Sequence, residues 1–263
     1  MHVKMRLRME YDLIYGEAIK EMQKLIDKGI KVDAVITDPP YGTTACKWDS
    51  IIPLDEMWEC LKGIRSENCP IILFGSEPFS SYLRMSNIKE YKYDWIWEKT
   101  SATGHLNAKK MPMKANELIS VFYDKQPTYS PQKTKGHKRK VSTADHKRNS
   151  IKTEIYGKHG LTTYDSTERY PRTVIKFKTD KQKLALHSTQ KPVALMEYFI
   201  KTYTNEGDTV LDFTCGSGST GVACKKLNRN FIGIDNGVCE KEGNFKNWRW
   251  VDVAKYRIEN EGN

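Results

Sequence analysis

The chain predicts a doubly wound α/β sheet, and three observations carry that prediction. Short β-branched or aromatic runs recur along it, helical stripes lie between several of them, and a glycine-rich turn directly follows one run. Seven candidate strands are read, at 11–15, 32–37, 70–74, 93–98, 117–123, 209–213 and 230–234. Such alternation predicts ligands bound outside the carboxyl ends of the strands. At 263 residues, one α/β domain with an insertion is sufficient and a sizeable core can be buried.

The first strand runs into Tyr15-Gly16-Glu17, and Ala18, Ile19, Met22, Leu25 and Ile26 then recur at helical spacing. The second strand ends in Asp38-Pro39-Pro40-Tyr41. Asp38 can accept a hydrogen bond from an exocyclic amine, each proline fixes its φ and lacks an N–H, and Tyr41 offers a face for stacking. These groups can hold a planar, amino-bearing ring. From four residues alone, a Pro-Pro turn closing a strand reads equally well.

Far along the chain, Val210-Leu211-Asp212-Phe213 leads into Thr214-Cys215-Gly216-Ser217-Gly218-Ser219-Thr220-Gly221, and 222–227 reads as a helix. The glycines permit close approach of a ligand to the backbone, and the helix start turns N–H groups toward it. The last strand ends at Asp235, whose carboxylate can take two ribose hydroxyls. Gly216, Gly218 and Gly221 also satisfy a dinucleotide fingerprint, so a nicotinamide dehydrogenase is an alternative at this point. It gives Asp38-Pro39-Pro40-Tyr41 no use and finds no second nucleotide-binding half after the turn.

Together these residues resemble the S-adenosylmethionine-dependent amino-methyltransferases of DNA. In that family D-P-P-Y is the catalytic motif and D-x-x-x-G-x-G belongs to the cofactor motif. Here the catalytic motif comes first, an order similar to the permuted β group. His187-Ser188-Thr189-Gln190-Lys191-Pro192 resembles the H-x-x-Q-K-P element of that group. Pro192 suits the first turn of a helix, on which Leu195, Met196, Phe199, Ile200 and Tyr203 form an apolar face expected in the core. The resemblance covers residues 10–123 and 187–235. It implies a Rossmann-like methyltransferase sheet of seven mostly parallel strands, with one antiparallel strand near an edge.

The same resemblance implies a catalytic half at 1–124, a target-recognition insertion at 125–186 and a cofactor-binding half at 187–263. Asp38, Pro39, Pro40 and Tyr41 are the implied catalytic residues. Implied cofactor contacts are Glu17, Asp38, Thr189, Gln190, Lys191, Asp212, Phe213, Cys215, Gly216, Gly218 and Asp235. Glu17 stands where the family usually has Asp. The segments 95–99, 104–107 and 114–117 lie where the family places target-pocket and backbone-shaping loops; packing roles are the alternative for each.

The net charge of +10 is unevenly placed. Residues 133–183 hold 15 Lys/Arg against 5 Asp/Glu, so the remainder, with 28 of each sign, is neutral. The wider segment from about 125 to 186, basic and interleaved with Tyr129, Tyr156, Tyr164, Tyr170 and Phe177, matches the position of the target-recognition insertion. Lys138, Arg139, Lys140, Lys147, Arg148, Arg169 and Arg172 are its candidate DNA contacts, neutralising phosphates or reading base edges. Taken alone, 135–148 reads as a solvated loop.

The six cysteines (46, 60, 69, 215, 224 and 239) form no C-x-x-C pair and no zinc spacing, so no metal is expected. They read as reduced thiols, with Cys46 a loop residue rather than a nucleophile. No run reaches the eighteen apolar residues of a membrane span. The expected setting is the cytoplasm of a bacterial or phage-infected cell.

The implied reaction is site-specific methylation of adenine N6 in double-stranded DNA, by direct in-line transfer to a flipped base. Adenine is favoured because the tetrapeptide begins with Asp, whereas cytosine-N4 members more often begin with Ser. Cytosine-N4 and RNA adenine-N6 methylation are alternatives, and a glutamine-modifying protein methyltransferase is weaker because those enzymes begin with Asn. A catalytically silent DNA-binding protein is the non-enzymatic alternative. A homodimer and a companion restriction endonuclease are partners the resemblance allows, and no residue pattern selects either.

Overall fold

Burial on both faces of the central strands sets the architecture. In the computed structural model, which describes residues 9–42, 49–143, 163–179, 190–240 and 243–261, all four residues of Ala34–Thr37 and all five of Ile71–Gly75 are buried. Continuous apolar runs of this kind belong to parallel strands covered on both sides. The order is β1 (Tyr11–Tyr15), α1 (Ala18–Asp27), β2 (Ala34–Thr37), α2 (Leu54–Ile64), β3 (Ile71–Gly75), α3 (Phe79–Ser86) and β4 (Tyr91–Thr103). A 3₁₀ turn (His105–Asn107), β5 (Lys114–Phe122), β6 (Lys140–Ser142), β7 (Tyr164–Ser166) and β8 (Val174–Phe177) follow. The chain closes through α4 (Val193–Tyr203), β9 (Thr209–Asp212), α5 (Ser219–Lys226), β10 (Asn230–Asp235) and α6 (Trp250–Glu261).

Eight strands form the main sheet in the order β1-β10-β9-β2-β3-β5-β4-β8. Only β5 runs against the rest, pairing antiparallel with both β3 and β4. All seven strands read from the sequence are present. The eighth, β8, pairs parallel with β4 at Ile96↔Val174 through Lys99↔Phe177. It lies within the stretch read as insertion, where the charge around Val174-Ile175-Lys176-Phe177 masks a short alternating run.

Side chains alternate between the two faces of the sheet with period two. Ala34 and Ile36 join Phe199, Ile200 and Val222 in one cluster, whereas Val35 joins Met22, Leu25, Trp58 and Leu61 in the other. Thus α4 and α5 cover one face, and α1 and α2 the other. Pro192 is the N-cap residue of α4, one position before its first turn. The predicted apolar face, Leu195, Met196, Phe199, Ile200 and Tyr203, is buried throughout.

Residues 131–172 form a second compact unit, distinct from the one built of 1–130 and 173–263. Its described part is a two-stranded ribbon in which Lys140 to Ser142 of β6 pair with Ser166 to Tyr164 of β7. Among the described residues no helix is long and apolar enough to cross a membrane.

Candidate active site

The strand order reverses at β2 and β9, which are neighbours although 175 residues separate Thr37 from Asp212. A crevice outside the carboxyl ends of such strands is where an open α/β sheet holds its ligand. Asp38 follows β2, the glycine turn follows β9, and Asp235 ends β10. All three line one cavity of 1020 Å³. That volume lies at the upper end of small-molecule sites, with room for a nucleoside-sized ligand and a further ring.

Asp212 ties the two motifs together. Thr37 Oγ1 donates to Asp212 Oδ1 at 2.9 Å, and Thr220 Oγ1 donates to Oδ2 at 2.6 Å. Thr37 in turn accepts from the Phe213 N–H at 3.0 Å, and Thr214 Oγ1 donates to the Asp38 carbonyl at 3.0 Å. Burial pushes the Asp212 carboxyl up to about 7, against the pull of the Thr220 and Thr37 hydroxyls. The residue before the tetrapeptide is thereby bound to the start of the glycine turn.

The glycine turn is held from both sides. Gly216 and Gly218 have φ of 48° and 78°, a region costly for other residues. A Cβ on Gly218 would stand 2.6 Å from Ala254 Cβ on α6, so close packing also demands glycine there. From α6, the buried Arg257 donates through Nη1 to the Ser217 carbonyl at 2.8 Å and to Ser217 Oγ at 3.0 Å. Nothing in the sequence pattern singles out Arg257. Ser217 Oγ donates to Gln190 Oε1 at 3.2 Å, joining the turn to the H-x-x-Q-K-P element. Cys215 is buried and its N–H donates to the Ile234 carbonyl at 2.9 Å.

Asp235 accepts the Gly216 N–H on Oδ2 at 2.9 Å and the Gly237 N–H on Oδ1 at 2.8 Å. Burial raises its carboxyl above the usual range, against these two N–H groups. Each oxygen keeps a further lone pair, so the pair of oxygens can accept a vicinal diol. Glu17 also lines the cavity, yet both its oxygens cap α1, accepting from Ile19 N at 3.1 Å and Lys20 N at 3.0 Å. That cap explains an acidic residue here without a ligand.

The tetrapeptide carries the densest electrostatics. Asp38 accepts the Tyr41 hydroxyl on Oδ1 and the Lys191 ammonium on Oδ2. Lys191 is 7% exposed and also lies 3.3 Å from Glu117 Oε2. Glu117 pairs with Lys99, which completes a row of alternating charges: Lys99, Glu117, Lys191, Asp38. Burial would lower the Lys191 pKa, and the two carboxylates outweigh it and hold it above its ordinary value. Burial raises the Asp38 carboxyl, with Lys191 pulling it down and Glu117 pushing it up. Tyr41 stacks one face on Phe79 at 5.3 Å and 28°, and its N–H donates to Asp49 Oδ1 at 2.8 Å.

Asp38, Pro39, Pro40, Tyr41, Glu17, Gln190, Lys191, Asp212, Phe213, Cys215, Gly216 and Asp235 all line the cavity. Gly218 stands behind it as the residue before α5. Thr189 lies outside the described residues, as do Lys147, Arg148 and Cys46. In the second unit, Lys138, Lys140 and Arg172 are exposed. Arg139 forms a two-pronged pair with Asp165 at 2.8 and 2.6 Å. Arg169 donates to the carbonyls of Ser166, Glu168 and Lys138, so its guanidinium braces the ribbon. Sequence reading placed Glu117 at the start of a strand and in a loop segment of undecided role; its partnership with Lys191 emerges from pairing across the sheet.

Comparison with known proteins agrees with this geometry. Residues 32–240 match the N6/N4 methyltransferase family model, described as DNA methylase. The Type II methyltransferase M.HpaI of Haemophilus parainfluenzae is 27% identical over 97% of this chain and 76% of its own length. The DNA adenine methyltransferase YhdJ of Escherichia coli is 26% identical over 93% of this chain and 83% of its own. Among solved structures, M1.HpyAVI in complex with S-adenosylmethionine superposes with a TM-score of 0.61 at 26% identity, covering 94% of this chain and 99% of that one. The chain belongs to the N6/N4 DNA methylase family of S-adenosylmethionine-dependent amino-methyltransferases.

Proposed function

We propose that the protein methylates the N6 amine of adenine at a specific site in double-stranded DNA. The observation that carries this reading is the single cavity shared by Asp38-Pro39-Pro40-Tyr41, the glycine turn and Asp235. When bound, S-adenosylmethionine supplies an electrophilic sulfonium methyl group. The residues present fit that donor: Asp235 has two oxygens for a ribose diol, and the turn at Gly216 brings backbone against the cavity without a side chain. Gln190, Phe213 and Cys215 line the same cavity. Asp212 and Glu17 act one step back in this reading, fixing the turn and the start of α1.

At the other end of the cavity Asp38 accepts a hydrogen bond from the target amine and localises its lone pair. Tyr41, braced by Phe79 on one face, offers the other to a planar base. The base must leave the duplex to reach this depth. Its amine takes positions on Asp38 held here by the Tyr41 hydroxyl and the Lys191 ammonium. Transfer is direct, and the acceleration comes from positioning in an oriented polar site. Adenine is favoured by the Asp that opens the tetrapeptide, and YhdJ is named as an adenine enzyme. The exposed Lys138, Lys140 and Arg172 of the second unit supply phosphate contacts in the target-recognition role assigned to that stretch, and a cytoplasmic setting follows from the substrate.

Expression in a host lacking DNA modification, followed by mapping of methylated bases, tests the reading. N6-methyladenine in one sequence context is expected, and Asp38→Ala should abolish it while cofactor binding persists. N4-methylcytosine, or methyl transfer to RNA or protein alone, would overturn it.

A further inference from the structure

The β4–β5 ribbon outgrows the sheet at the end where the active site opens. β3 pairs with β5 only from Gly75↔Leu118 inward, and β8 reaches β4 no further than Lys99. Beyond Lys99 and Glu117 the two strands pair only with each other among the described residues, as at Thr103↔Lys114. β4 runs parallel to β2, so this free ribbon leaves the sheet on the side where Asp38 follows β2. Its root is fixed to the site by Lys99–Glu117–Lys191–Asp38.

The tip is unlike an ordinary solvated turn. Leu106 is 88% exposed, more than any other large hydrophobic among the described residues, and Met111 and Met113 are 59% and 43% exposed. Exposed apolar residues grouped this way mark an interaction surface. Between Lys99 and Asn116 the sequence holds three lysines and His105 with no acidic residue. Lys109 and Lys110 are exposed beside the apolar tip. The balanced charge of the chain outside its basic segment therefore conceals a local cationic finger. A surface that is apolar at its point and cationic around it fits stacked bases flanked by phosphates. At about 3.3 Å per residue, Thr103 stands roughly 13 Å beyond Lys99. A base rotated into the pocket leaves its gap on the order of 10 Å away, the scale of a groove depth.

We infer that the 100–114 ribbon is a wedge that enters the target duplex, with Leu106 occupying the stack vacated by the flipped base and Lys109 and Lys110 gripping the flanking phosphates. The inference rests on the reading that duplex DNA is the substrate. Flipping costs unpairing and unstacking, least where the base is already unpaired. Filling the vacancy offsets that cost, and so Leu106 matters only when the target begins paired.

The test compares two oligonucleotide duplexes carrying the site mapped from host DNA, one fully paired and one with an abasic position opposite the target. On the paired duplex, single-turnover methylation by Leu106→Ala should fall about tenfold or more against wild type. On the abasic duplex the loss should stay within about threefold, and Leu106→Phe should restore most of the rate on the paired one. Leu106 is so exposed that truncation removes no packing, and unchanged cofactor affinity and melting temperature verify this. Equal losses on both duplexes, or no loss on either, would overturn the wedge. So would a changed sedimentation coefficient with an unchanged rate ratio, which would mark the finger as a contact between two copies. If wild-type protein methylates no DNA, the underlying reading falls and the inference falls with it, an outcome distinct from any difference between variants.

Discussion

The ammonium of Lys191 is ion-paired with the carboxylate of Asp38 across 153 residues of sequence, at a site where neither group is well solvated. The pair unites the H-x-x-Q-K-P element with the tetrapeptide inside the cavity that both line. A nearby cation favours the ionised carboxylate. Removing it in Lys191→Met pushes the Asp38 pKa further up, so Asp38 becomes neutral, and useless as an acceptor, at higher pH. The acid limb of the kcat profile should move upward by about one pH unit or more, with Lys191→Arg closer to wild type. An unmoved limb in Lys191→Met would separate Lys191 from the chemistry.

Glu117 predicts the opposite sign. Its charge raises the Asp38 carboxyl and competes for Lys191. In Glu117→Gln the acid limb should therefore move down, while Lys191 holds Asp38 more firmly and the target amine displaces it less readily. A rise in KM for DNA with a smaller change in kcat is expected. The variant also leaves Lys99 and Lys191 sharing one carboxylate fewer in a buried site, a loss worth about 3–5 kcal/mol where a partner is fully removed. Chemical denaturation measures that cost separately from the pH profile.

Asp235 is tested through cofactor affinity. Its two oxygens hold Gly216 and Gly237 and face the cavity. Asp235→Ala loses both the proposed diol acceptor and the anchor of the turn. Hydrogen bonds to a charged group contribute about 1.5–3 kcal/mol, so cofactor Kd should rise roughly tenfold to a hundredfold by calorimetry. Unchanged affinity would remove Asp235 from the site.

Much of this arrangement was legible in the sequence, for a physical reason. Asp38-Pro39-Pro40-Tyr41 and the glycine turn are local patterns in which adjacent residues build one ligand surface. The seven strands were legible because parallel strands buried on both faces are apolar almost continuously. β8 escaped because only four residues of alternation lie among lysines, and its partner is β4 rather than a sequence neighbour. Glu117 and Arg257 escaped for a related reason: each acts through a contact far away in sequence that no spacing records. Lys191 could be placed at the site, yet its pairing with Asp38 follows from strand order, with α4 returning across the sheet before β9.

Arg257 offers a check on that distant support. Its guanidinium is 2% exposed and divides its donors between the Ser217 carbonyl and the Glu261 carboxylate. Arg257→Ala leaves the Ser217 carbonyl without that donor beneath the glycine turn. A stability loss of about 1–3 kcal/mol is expected, the cost of orphaning a buried polar group. With the turn facing the cofactor rather than the base, as proposed, cofactor KM should rise more than kcat falls. Arg257→Lys, keeping one charged donor, should recover part of both.

Asp212 gives a pH dependence of stability with a definite sign. Its folded-state pKa is raised from 3.8 to about 7, because burial disfavours the charged form more than the Thr220 and Thr37 hydroxyls favour it. The unfolded chain therefore releases this proton first as pH rises. The contribution to stability is fully present below the unfolded value of 3.8 and is lost as pH climbs through the folded value near 7. At about 1.4 kcal/mol per pH unit the loss is at most about 4.5 kcal/mol. Asp212→Asn has no proton to lose, so the wild-type curve should fall relative to it between pH 4 and pH 7. Other carboxylates titrate in both proteins and cancel in the difference. Parallel curves from urea unfolding across that window would show that Asp212 is ionised in the folded protein, and that the Thr37–Asp212–Thr220 bridge joining the catalytic motif to the glycine turn carries a full charge.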